Sequence, residues 1–169
     1  MNKVSKPSKI NNISLIFGVI SSLVFFFVMG MFGSPYDTIH KIDAYGIIPP
    51  IWLWKTTTMF WSFLVGFAAG KIIFDMTHIQ PSIDIKLYAY RGGLFCLSAF
   101  FLSLCHYPLF FNAEKIFISL IVALIAVIFS AICATLWTHA SRGPSLIMFG
   151  FSFWLLYVVI VNFSVFFRI

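Results

Sequence analysis

Residues 116–137 read IFISLIVALIAVIFSAICATLW, and no Asp, Glu, Lys or Arg interrupts them. Wound as an α-helix at 1.5 Å per residue, such a segment is about 33 Å long, enough to cross a hydrocarbon core of about 30 Å. Its flanks carry stop signals: Asn112, Glu114 and Lys115 before it, and His139, Arg142, Gly143 and Pro144 after it. Working outward, four more segments of the same kind appear. A helix is expected over about 145–167 on one side, and over about 94–111, 49–74 and 13–32 on the other. Pro49 and Pro50 open the second of the five, where a missing N–H costs nothing. The polar stretches 34–48 and 75–93 read as loops. The expected architecture is therefore all-α: a single membrane domain, 1–169, built as an integral membrane bundle of five transmembrane helices, with no soluble domain.

Composition points the same way. The chain is 61% hydrophobic and only 9% charged, against roughly 25% charged in soluble domains. So few charges cannot cover a water-exposed surface around that much apolar side chain, so lipid must be the solvent for most of it. Twenty-two Phe residues suit that solvent. The net charge of +6 does not indicate nucleic acid, because the basic residues are scattered at the ends of apolar segments instead of clustering on one face. They read as topology determinants and headgroup contacts.

Lys3, Lys6 and Lys9 precede the first apolar run, which is too long for a signal-peptide core and is followed by no small-residue cleavage site. It is read as a retained span. With the N-terminus inside, the cytoplasmic ends hold Lys3, Lys6, Lys9, Lys71, Lys86, Arg91 and Arg142, and the outer ends hold Lys41, Lys55, Lys115 and Arg168. That asymmetry favours a cytoplasmic N-terminus, in what is expected to be a bacterial cell membrane. Lys55 and Lys71 lie about 24 Å apart along one helix, so each can reach its own interface. Cys96, Cys105 and Cys133 sit in apolar stretches at no metal-type spacing and read as small buried residues.

Enzyme signatures are missing from the sequence: it has no phosphate-binding glycine loop, no H-E-x-x-H and no nucleophile elbow. No catalytic residue and no metal ligand set is assigned. His106 has no second ligand spaced to join it, and reads better as an interfacial hydrogen-bonding residue. What stands out is aromatic content toward one end of the helices: Trp52, Trp54, Trp61, His106, Tyr107, Trp154 and Tyr157. An interfacial aromatic belt would account for single members; a pocket for a flat aromatic ligand would account for several together. Gly66 and Gly70 form a G-x-x-x-G, which fits close packing either inside one bundle or between two copies. Asn162, polar in an apolar helix, either bonds a neighbouring helix or lines a cavity. Lys86, Tyr88 and Leu94 fit the loose reversed sterol-contact pattern, too permissive to assign a ligand.

Four motifs recur in a recognisable order. Pro49-Pro50-Ile51-Trp52-Leu53-Trp54 is followed by Gly66 and Ala68; His106-Tyr107-Pro108-Leu109-Phe110-Phe111 closes the third helix; Ser141-Arg142 precedes the fifth; and Trp154 stands eight residues before Asn162. In order and spacing these resemble the TspO/translocator-protein family, also known as tryptophan-rich sensory proteins or peripheral-type benzodiazepine receptors. The resemblance covers nearly the whole chain from about Ile13. It implies a five-helix receptor or carrier for porphyrin-like or other flat aromatic and lipidic molecules, with no cofactor other than porphyrin as ligand, and it makes a homodimer plausible. The departures from the family pattern are specific. Its helix-two Trp falls on Thr58, its Leu-Tyr on Trp61-Ser62, its helix-three Gln and Asn on Ala99 and Ser103, the helix-three Trp on His106, and its helix-five Pro-Tyr on Gly150-Phe151. Of the two tryptophans implicated in porphyrin photodegradation, Trp154 matches one position and Ile47 stands at the other.

The ligand-binding residues expected on this reading are Trp52, Trp54, His106, Trp154 and Asn162, in a cavity at the outer half roofed by residues 34–48. Trp154 would form its floor. Partners are the lipid bilayer, a porphyrin-like small molecule and a second copy of the chain. The competing class is a small structural or accessory membrane protein that kept the fold and lost the ligand, and a porphyrin-degrading enzyme is a weaker third.

Overall fold

The computed structural model describes residues 12–31, 49–79, 81–111 and 115–167. Five helices follow one another: α1 Asn12–Met31, α2 Ile51–His78, α3 Ile83–Phe111, α4 Ile116–Thr138 and α5 Arg142–Phe166. Each is long and apolar enough to cross a membrane. The protein is an all-α integral membrane bundle of five transmembrane helices.

Three expected boundaries move. The stretch 75–93 is not one long loop: α2 runs on to His78, and α3 starts eleven residues ahead of Leu94. Polar residues such as Asp84, Lys86 and Arg91 lie within α3. The helix winds here because Ala89 and Gly92, three positions apart, form a buried face while the polar residues point outward, the usual amphipathic division. The Lys86 N–H already donates to the Ser82 carbonyl at 3.1 Å, and Asp84 complements the positive end of the helix dipole. Likewise α5 begins at Arg142, not Ser145. Pro144 sits in its first turn, where the absent N–H had no partner to lose.

α1 packs along α2, α4 fits between α3 and α5, and α5 also leans on α2; the contact of α2 with α3 is sparse. Small residues set the close approaches. A Cβ at Gly70 would fall 2.8 Å from Ser14 Cα, and one at Gly66 would collide with Phe17 and Ser21 of α1. The G-x-x-x-G therefore packs inside the bundle, which settles its use in favour of α1–α2 contact. Gly92 leaves room for the Trp137 indole, whose Nε1–H donates to the Ala89 carbonyl at 3.2 Å. Serine hydroxyls tie further helices: Ser22 to the Met59 carbonyl at 3.2 Å, and Ser145 to the Ala134 carbonyl at 2.8 Å. Such bonds hold membrane helices together where the hydrophobic effect between them is absent.

The core has two parts. One, toward the N-terminal end of α2, is aromatic and includes Phe25, Trp54, Tyr107, Phe110 and Phe111. The other, toward the opposite end, is built on small side chains such as Ala68, Ala89, Ala126, Cys133 and Ala134 around Trp137. The outer faces expose Phe26, Phe27, Leu97, Phe101, Leu146 and Phe153, an apolar surface far beyond what a soluble monomer leaves to water.

Candidate functional site

Trp54 stands in the first turn of α2 and Trp154 near the middle of α5, and the antiparallel contact of these helices brings them together. Their ring centroids are 5.6 Å apart. Tyr157, one turn beyond Trp154 on the same helix face, completes a triad, 6.2 Å from Trp54 and 5.5 Å from Trp154. Phe111 meets Trp54 edge-on at 5.7 Å. Aromatic pairs at such separations contribute about 0.5–1.5 kcal/mol each beyond area burial.

The triad separates two cavities. On its outer side is a space of about 290 Å³ lined by Pro49, Leu53, Trp54, Thr57, Trp154 and Tyr157. On its inner side lies a central cavity of only about 20 Å³, bordered by Trp54, Trp154, His106, Tyr107, Thr58 and Ser62 among others. That is room for about one water molecule. The polar groups here are mostly engaged. Thr58 Oγ1 donates to the Trp54 carbonyl and Ser62 Oγ to the Thr58 carbonyl, each at 2.8 Å. Ser103 Oγ donates to the Phe100 carbonyl at 2.7 Å. The Tyr107 hydroxyl is the exception, buried with no hydrogen-bond partner among the described residues. A buried hydroxyl left unpaired costs about 1–3 kcal/mol, so this group is the one most ready to accept a polar partner entering the cavity.

His106 and Asn162 form a second constellation beside the first. Ser119 Oγ donates to Asn162 Oδ1 at 2.8 Å. Asn162 Nδ2 donates to the Val158 carbonyl at 2.8 Å and lies 2.9 Å from His106 Nε2. An amide nitrogen can only donate, so Nε2 is the acceptor and the neutral ring carries its proton on Nδ1. All three side chains are buried. Asn162 thus ties α5 to both α3 and α4, and the Nε2 lone pair of His106 is already in use.

Of the five side chains expected from the sequence, Trp54, His106 and Trp154 border the same central cavity, and Asn162 joins them through His106. Trp52 stands apart, 65% exposed. Two positions along a helix is a rotation of about 200°, so Trp52 and Trp54 face opposite ways. The expected roof, residues 34–48, lies outside the described residues. Tyr157 and the unpaired Tyr107 were visible in the sequence only as members of an aromatic group. Tyr157 could have been found from its spacing of three from Trp154, which places both on one face.

The replaced family positions form a matched pair. Trp61 stands where the family pattern has Leu, and Gly150 where it has Pro. A Cβ on Gly150 would lie 2.5 Å from Trp61 Cη2, so the larger indole occupies the space that the missing side chain leaves. Trp61 also meets Phe151 at 6.4 Å.

The TspO/MBR family model matches residues 13–168. The chain belongs to the TspO/MBR family. Neither a curated protein nor a solved structure matches it. In this TspO/MBR protein the family-like Trp54 and Trp154 meet in the aromatic wall between α2 and α5 and border two cavities there.

Proposed function

We propose that this TspO/MBR protein is a membrane receptor or carrier for flat aromatic molecules of the porphyrin type, taken up at the outer half of a single five-helix domain. The observation that carries the reading is that Trp54, Trp154 and Tyr157 touch one another and all border the 290 Å³ cavity beside Pro49. Indole and phenol faces suit a flat π-system, and the volume is close to the lower end of the small-molecule range, about 300–1,000 Å³. His106 and the Tyr107 hydroxyl supply the polar contacts deeper in, and Trp52 belongs to the interfacial rim. The N-terminus lies in the cytoplasm of a bacterial cell, as the Lys and Arg asymmetry favours, and two copies associate through a surface other than the Gly66–Gly70 stripe. Porphyrin degradation is disfavoured, because Ile47 replaces one tryptophan of the pair associated with it.

The test is titration of purified protein with protoporphyrin, read by quenching of tryptophan fluorescence. Saturable binding is expected in wild type and in Phe153→Ala, whose ring is 72% exposed, with at least a fivefold weaker response in Tyr157→Ala and Trp154→Ala. Equal binding by all four would refute the site. One observation favours the alternative reading, a structural protein that lost its ligand: the central cavity is only about 20 Å³. Absence of saturable binding to any porphyrin would decide for it.

A further inference from the structure

A larger cavity lies away from the aromatic site. Between the α1–α2 pair and α3 runs a slot of about 630 Å³, possible because α3 is held by α4 and only sparsely by α1 and α2. Its rims, Ile20 on α1 and Leu97 on α3, are exposed, so it opens on the outer surface of the bundle. Its floor includes the buried Trp137. Along α3 it extends from Lys86 to Phe100, fourteen residues or about 21 Å of helix. One leaflet of hydrocarbon is about 15 Å deep.

The slot's ends differ in chemistry. At the end near the α2–α3 turn are Lys86, Tyr90 and Thr77. Thr77 already bonds its own helix at the Phe74 carbonyl, 2.9 Å. Among the described residues the one ion pair is Lys71 with Asp75, so the Lys86 ammonium has no carboxylate partner there. At the other end the slot reaches Phe100, which meets Phe25 edge-on at 6.0 Å. An apolar channel at least one leaflet deep, ending at the Phe100 ring and opening at one cation with no carboxylate partner among the described residues, has the form of one acyl chain carrying an anionic head.

We propose that this slot is a binding site for an anionic phospholipid, with one acyl chain along α3 and the phosphate at Lys86. Charge complementarity selects this occupant. An α-helix from a second copy is 10–12 Å across and would have to part α2 from α3, which remain in contact. A neutral sterol would leave Lys86 unused. With the N-terminus inside, the head lies at the cytoplasmic surface, where anionic lipids concentrate opposite basic residues.

Two variants separate head from chain. Lys86→Gln removes the cation. Gly93→Leu fills the slot, since Gly93 lines it and a Cβ there meets no atom within 4 Å. The protein is purified in detergent and mixed with phosphatidylglycerol or phosphatidylcholine, and bound lipid is counted by native mass spectrometry. Wild type is expected to hold one phosphatidylglycerol with a preference on the order of fivefold over phosphatidylcholine, the contribution of one lysine near an anionic head. Lys86→Gln should bind both lipids alike, and Gly93→Leu should hold neither. Equal binding of the two lipids by wild type, an unchanged preference in Lys86→Gln, or full occupancy in Gly93→Leu would each overturn the assignment. So would displacement of phosphatidylglycerol by an equimolar neutral sterol, or a lipid-free dimer as the only species.

Discussion

Replacing Asn162 with alanine tests whether one buried amide fastens three helices. In the bundle its Oδ1 takes the Ser119 hydroxyl, and its Nδ2 serves both Val158 and His106. Two of these bonds cross between helices, and interhelical bonds in membrane proteins average about 0.6 kcal/mol, so their direct loss is about 1.2 kcal/mol. The orphaned groups add to this unequally. Ser119 can turn its hydroxyl back to a carbonyl one turn earlier in its own helix. His106 Nε2, buried, has no such recourse and costs about 1–3 kcal/mol unpaired. Asn162→Ala should therefore destabilise the protein by about 2–4 kcal/mol. His106→Phe should cost less, about 0.6–1.7 kcal/mol, because Asn162 keeps its other two partners. The assay is reversible unfolding in mixed micelles titrated with SDS. Ser164→Ala is the control, since Ser164 is half-buried and, among the described residues, bonds only the Ile160 carbonyl of its own helix. If Asn162→Ala cost no more than Ser164→Ala, the amide would not be the fastening point and the neutral Nδ1–H form assigned to His106 would lose its basis.

Gly150→Ala should cost about 1–3 kcal/mol by overpacking against Trp61, and adding Trp61→Leu should restore most of it; a coupling energy near zero in that double-mutant cycle would mean the two positions do not compensate. Fusing a reporter active only in the cytoplasm to each terminus should give signal from the Met1 end alone, and signal from the Arg168 end would reverse the orientation.

Helix α4 was legible almost to the residue, expected over 116–137 and found as Ile116–Thr138, because charged or turn-forming residues bound its apolar run on both sides. The start of α3 was not legible by the same criterion. Hydropathy marks where lipid begins, whereas hydrogen bonding and the Ala89–Gly92 face decide where helix begins, and here the two differ by eleven residues. Spacing to family motifs singled out Trp54 and Trp154, and the structure brings these two into contact. Trp52 shared the motif but not the face, a distinction that a 200° rotation already contains. The use of the Gly66–Gly70 stripe needed three dimensions, since the motif states that backbones approach without naming the partner. The Tyr107 hydroxyl became distinctive only once its neighbours were seen to be bonded elsewhere.

The closed centre bears directly on how this family member could take a ligand. A molecule entering between Trp54 and Trp154 must part Trp54 from Trp154 and Tyr157, two pairs worth together about 1–3 kcal/mol, and leaves the Trp154–Tyr157 pair on its own helix intact. Stacking on a flat ligand returns contacts of the same kind, so their exchange is nearly neutral for a π-system and unfavourable for an aliphatic one. On the proposed binding mode the 20 Å³ central cavity acts as a selective element, because only a ligand able to replace aromatic contacts one for one, and to offer the Tyr107 hydroxyl a partner, opens it without net loss. The lipid-facing slot, lined mainly by aliphatic side chains with Lys86 as its one cation, would select in the opposite sense on the proposal made for it. The two proposed sites thus differ in chemistry in a way that would keep their occupants apart, and the Phe25–Phe100 pair stands between the two cavities.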